Sequence, residues 1–206
     1  MDIDAIKKIV EEVGDKQIVV ASKYLSAEQI KALSGLGLHY YGENRVDALL
    51  SKLETLEGDP NIEFHFIGHL QSNKAKLVAN RIACLHSLDS IKTARILNDA
   101  LEKPLDCYIE LHLTDNDAKS GVAESQLPDF INSLKTYPNI HVIGLMAMSD
   151  ADMDEPQKRA VFRKARQLAD QYGYTKLSMG MSDDYLLAIE EGATSLRLGR
   201  VIAKHC

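Results

Sequence analysis

The sequence predicts a single (β/α)8 barrel of the TIM type with an additional N-terminal helix. Three observations point there. Short β-branched runs alternate with amphipathic stretches eight times, which implies parallel strands joined by right-handed crossovers. Their nearly even spacing favours closure over an open doubly wound sheet. The length, 206 residues, lies near the lower limit for one such barrel. No linker or composition shift interrupts the chain, so residues 1–206 read as one domain.

The N-terminal segment places Ile3, Ile6, Ile9, Val10 and Val13 at helical spacing, and Gly14 can stop it. QIVVASK (17–23) is the first strand, compact and β-branched as buried parallel strands are. Ser26 and Gln29 form a capping box for the next helix. HYYGEN (39–44), EFHFIG (63–68), ACLHSLD (83–89) and LDCYIELHLT (105–114) are strands two to five. A helix with Leu127, Phe130, Ile131 and Leu134 on one face follows the fifth. HVIGLMAMS (141–149) is the sixth strand, and an acidic loop leads from it to a helix ending near Tyr172-Gly173. KLSMGMS (176–182) and TSLRLGRVI (194–202) complete the eight.

Composition narrows the function classes. A net charge of −6 does not favour a nucleic-acid surface. Cys84, Cys107 and Cys206 are isolated, without a CxxC pair. That argues for a reducing compartment and no disulfide framework. The acidic start lacks the basic and apolar blocks of a signal peptide, and no apolar stretch could span a bilayer. A cytoplasmic protein is expected.

Barrels of this type carry their active sites at the C-terminal ends of the strands. Lys23, Asn44, His65 with Gly68, Ser87, Met146 with Met148, Ser182, and Arg197 with Gly199 all fall at such ends. On its own Lys23 favours a plain exposed strand-end lysine. Turned into the mouth it would be partly desolvated, which lowers an amine's pKa and suits Schiff-base chemistry. SMGMSDD (178–184) can present Ser182 and helix N-terminal N–H groups to a phosphate. RLGRVI (197–202) places Gly199 where backbone approaches a ligand closely. Each segment alone reads equally as a plain cap or turn. Asp183-Asp184 lacks partners for a metal site and reads as helix capping. His65 and His69 form no zinc pattern, so no metal is expected.

VVASK (19–23), YGENRV (41–46), HFIGHLQSNK (65–74), AKSGV (118–122), GLMAMS (144–149), LSMGMSDD (177–184) and EEGATSLRLGR (190–200) together resemble the pyridoxal phosphate homeostasis protein family, relatives of the N-terminal barrel of alanine racemase. The stretches cover nearly the whole chain. The resemblance implies pyridoxal 5′-phosphate (PLP) held as a Schiff base on Lys23. It implies phosphate contacts from Ser182 and the N–H groups of Gly199 and Arg200. Arg197 would face the pyridine nitrogen, and Asn44, Met146 and His65 would line the cofactor. Departures are Arg200 where threonine or serine is usual, Arg45 where tyrosine follows GEN, and the C-terminal VIAKHC.

An arginine beside the pyridine nitrogen does not favour its protonation, which weakens the electron sink. The resemblance therefore implies a monomeric carrier or regulator of PLP and amino-acid homeostasis, with no efficient catalysis of its own and with PLP-dependent apoenzymes as partners. The alternatives are a slow amino-acid racemase, with Tyr40, Tyr41 or His112 as its second base, and a PLP-free barrel binding another phosphorylated metabolite.

Overall fold

The computed structural model describes residues 1–56, 58–115 and 120–206. Its strands are β1 (Gln17–Ala21), β2 (Tyr40–Glu43), β3 (Glu63–Phe66), β4 (Cys84–Leu88), β5 (Leu105–His112), β6 (Val122–Ala123), β7 (Ile140–Met146), β8 (Lys176–Ser178) and β9 (Ser195–Leu198). Eight of them close a ring in the order β1-β2-β3-β4-β5-β7-β8-β9 and back to β1, every pair parallel. The two residues of β6 add to β5 from outside the ring. The expected eight-stranded barrel is what the chain forms.

Helices surround the ring: α1 (Ile3–Val13), α2 (Ala27–Ser34), α3 (Val46–Leu56), α4 (Ala75–Val78), α5 (Ile91–Ala100), α6 (Leu127–Leu134), α7 (Glu155–Tyr172), α8 (Tyr185–Glu190) and α9 (Arg200–Ala203). Their boundaries follow local chemistry. Ser26 and Gln29 cap α2 reciprocally, and Asp154 and Gln157 do the same for α7. Gly173 ends α7 in the left-handed region that glycine adopts without penalty. In α1, Ile6, Ile9 and Val13 are buried while Ile3 stays exposed.

Strand alternation separates two interiors. Ile18, Val20, Leu85, Cys107, Ile109 and Leu145 pack outward, in the large core shared with the helices. Cys84, Tyr108 and Met146 form a smaller cluster apart from that core. One bulge interrupts the alternation. Cys107 pairs with Val142 but Tyr108 with Gly144, so Ile143 is an extra residue on β7. Gly144 is obligatory beside it, since a Cβ there would lie 2.1 Å from the Lys176 carbonyl oxygen on β8.

All eight barrel strands end one to four residues earlier than the sequence suggests. β1 stops at Ala21, and Ser22–Tyr24 form a single 3-10 turn. β8 stops at Ser178 and β9 at Leu198. The residues beyond them peel away from the ladder and build the rim of the mouth.

Candidate functional site

At the mouth lies a cleft of about 650 Å³, within the usual range for small-molecule sites. Of the eight residues singled out from the sequence, Lys23, Asn44, Ser182, Arg197, Gly199 and Arg200 line it. His65 and Met146 do not. His65 is buried below the cleft, with Nδ1 2.9 Å from His86 Nε2. Met146 is fully buried in the Cys84–Tyr108 cluster, and Met148, two residues on, reaches the cleft instead. Tyr40, Tyr41 and His112 are also absent from its lining. The Tyr41 hydroxyl is committed elsewhere, its one proton shared between the carbonyl oxygens of Ile30 and Leu38 at 2.9 and 2.5 Å.

Lys23 sits mid-turn and is exposed, its ammonium 4.5 Å from the centroid of the Tyr24 ring. The turn itself is held from behind. Ser22 Oγ donates to Glu43 Oε1 at 2.7 Å, and Lys52 on α3 donates to the Ser22 carbonyl at 2.5 Å while pairing with Glu43. Asn44 is placed by a close backbone approach. A Cβ on Gly68 would come within 2.3 Å of the Asn44 carbonyl oxygen, so only glycine allows the two loops to meet. Ser87 Oγ fixes that glycine by donating to its carbonyl at 2.5 Å.

The opposite end of the cleft is formed around the start of α9. Ser182 Oγ accepts the Val201 N–H at 3.2 Å, which sets the hydroxyl at the start of α9. Gly199 and Arg200 open that helix, where the first N–H groups have no intrahelical partner. Gly180 keeps the preceding loop tight with φ +94°, and a Cβ there would strike the Ala188 Cβ at 2.6 Å. The Arg200 guanidinium pairs with Asp183 across the rim.

The expected capping by Asp183 and Asp184 takes another form. Asp184 stands at the α8 N-cap position without a side-chain cap bond. Its carboxylate accepts the Met181 N–H at 2.7 Å and the Ser149 hydroxyl at 2.6 Å, tying the loops after β7 and β8 together.

Arg197 forms part of the floor. Its Nη1 donates to the carbonyl and hydroxyl oxygens of Ser178 at 3.1 and 2.8 Å, and its Nη2 donates to the Ala147 carbonyl at 3.1 Å. Burial pulls the guanidinium down to about 10, against the opposing pull of Glu110 and Asp184. It therefore remains a cation and a pure donor at neutral pH.

Reading by strand ends missed Ser178, His86, Glu43 and Lys52. A signal for His86 alone was available, since strand alternation puts it on the same face as Cys84, two residues before it. AKSGV (118–122) begins on residues outside those described, and of it Ser120 donates to Glu110 Oε1 at 2.9 Å.

Among the described residues no helix is long and apolar enough to cross a membrane. The family model described as alanine racemase, N-terminal domain, matches residues 5–204. A pyridoxal phosphate homeostasis protein of Aquifex aeolicus is 35% identical over 213 residues, covering 97% of this chain and 93% of the relative. One from Pseudomonas aeruginosa is 34% identical, covering 90% and 82%. The structure of PipY of Synechococcus elongatus with PLP bound superposes with a TM-score of 0.90 at 27% identity, covering 98% of this chain and 99% of that one. Alanine racemase of Clostridium difficile shares the fold alone, with a TM-score of 0.76 at 12% identity over 55% of its length. By its fold, its length of match and its identity to these relatives, the chain belongs to the pyridoxal phosphate homeostasis protein family.

Proposed function

We propose that the cleft binds PLP, with the phosphate at Ser182, Gly199 and Arg200, the pyridine nitrogen facing Arg197 and the aldehyde carbon held by Lys23 as a Schiff base. The observation that carries this is the convergence of an accessible lysine, a hydroxyl at a helix start and a buried planar donor on one cleft. Those are the three groups that an aldehyde, a phosphate and a pyridine nitrogen each require. The relatives are named for pyridoxal phosphate homeostasis, and PipY is described with PLP bound.

Bound there, the cofactor supplies an electrophilic carbon and a ring able to withdraw electrons. Asn44 and Met148 line the same cleft as Lys23 and Arg197. Arg197 donates to the ring nitrogen without protonating it, which keeps the electron sink weak. None of the candidate second bases Tyr40, Tyr41 and His112 lines the cleft. These features support a role in holding PLP for intracellular vitamin B6 and amino-acid homeostasis, with PLP-dependent apoenzymes as recipients, over a role in fast turnover.

The test is an absorbance titration with PLP, then borohydride reduction and peptide mapping. Label on Lys23, and no reducible species in folded Lys23→Ala, are expected. Label on a different lysine would overturn the assignment. Binding without any reducible species would instead indicate a site for another phosphorylated metabolite.

A further inference from the structure

Below the cleft, four side chains from four strands form a line across the barrel. Arg197 Nη1 donates to Ser178 Oγ at 2.8 Å, Ser178 Oγ lies 2.7 Å from His86 Nδ1, and His86 Nε2 lies 2.9 Å from His65 Nδ1. None is more than 4% exposed. The rings of Tyr40 and Tyr108 cover the two imidazoles, at centroid distances of 5.4 and 4.7 Å. Burial pulls His65 down to about 4 and His86 well below its ordinary value, so both are neutral at neutral pH.

A neutral imidazole has one donor and one acceptor nitrogen, whereas a guanidinium only donates. Ser178 Oγ already accepts from Arg197. If His86 also donated to it, the serine proton would have no acceptor in the line. With the serine donating to His86 Nδ1, every bond is made once and in one sense.

We infer that Arg197 polarises a one-way line, Arg197 to Ser178 to His86 to His65, which holds both imidazoles as Nε2–H tautomers and makes Ser178 and His86 positioning residues for the guanidinium. The ligand group this serves is an aromatic nitrogen that accepts a hydrogen bond at the cleft floor. In that part the inference rests on the PLP reading above. His65, offered from the sequence as a cofactor-lining residue, becomes the far end of the line.

The same rings also belong to a cluster of potential metal donors. With Cys84, they bring three buried donor atoms within 4.8 Å of one another. A divalent ion there would replace the proton shared between the two histidines, so Zn²⁺ is a direct probe.

Two experiments test the inference. In ¹⁵N-histidine-labelled protein, long-range proton–nitrogen correlation should show His65 and His86 as neutral Nε2–H tautomers, unchanged by one equivalent of Zn²⁺. An Nδ1–H or charged ring, or saturable Zn²⁺ uptake at these nitrogens, would overturn it. This arm needs no cofactor and stands even if PLP does not bind. The second arm compares PLP with its analogue carrying carbon in place of the pyridine nitrogen. Ser178→Ala should weaken PLP roughly tenfold, the scale of one hydrogen bond, and leave the analogue nearly unaffected. Ser178→Thr, which keeps the hydroxyl, should restore PLP binding. Equal losses for both ligands would mark Ser178 as merely structural and overturn the positioning role. Failure of the unmodified protein to bind PLP would count against the proposed function instead.

Discussion

Ser182 Oγ accepts the Val201 N–H in the first turn of α9, at the wall of the cleft. On the proposed reading, replacing Ser182 with alanine removes a charge-assisted hydrogen bond to the phosphate worth ~1.5–3 kcal/mol, so PLP affinity should fall roughly ten- to a hundredfold. Pyridoxal, lacking the phosphate, should lose almost nothing, and an equal loss measured for both would place Ser182 away from the phosphate. The neighbouring Arg200–Asp183 pair is well exposed on both sides, and such pairs are worth little in water. Arg200 is therefore free to exchange Asp183 for a phosphate. Residue types at strand ends made this part of the cleft lining legible. Lys23 was legible as a position but not as a conformation. Its run of β-branched neighbours gave no sign that the ladder stops at Ala21, because the stop is set by Ser22 turning toward Glu43 and Lys52.

At the scale of elements, the eight strands were legible because each is short, apolar and flanked by amphipathic stretches. Their ends were not. In a parallel barrel the last residues of a strand stay apolar while they leave the ladder to build the mouth, as Met148 and Met181 do here. The two-residue β6 and four-residue α9 carry no periodicity long enough to read. The β7 bulge was equally hidden, yet it explains a glycine that alternation alone would not. Gly144→Ala would drive a methyl into the Lys176 carbonyl, a rigid backbone atom. A loss of at least about 2 kcal/mol in urea unfolding is expected. A variant as stable as the parent would mean that β7 and β8 separate easily.

For the whole molecule, a polar line inside the barrel has a cost that depends on pH. Unfolded histidine titrates near 6.5, whereas burial holds His65 at about 4 and His86 lower still. Between these values the unfolded chain binds more protons than the folded one. The stability is then fully present above about pH 6.5 and is lost as pH falls through the folded values. His65 alone accounts for about 3 kcal/mol of that loss, and His86 acts in the same direction. Urea unfolding at pH 7.5 and 4.5 should show it, with a shallower dependence in His65→Gln. Equal dependence in both proteins would assign the loss to other groups. The line escaped the sequence reading because Ser178 lies 92 residues from His86. No local pattern joins them until the ring closes.

The grip on Ser22 also bears on how a ligand is captured. Three hydrogen-bonded groups immobilise the backbone of the turn, while the side chain that follows stands in solvent. On the proposed reading, capture through Lys23 orders one flexible arm on a turn already held in place. The entropy lost on that account is bounded by a single lysine, about 1.5–2 kcal/mol, and the barrel acts as a fixed anvil on which only the reaching group moves.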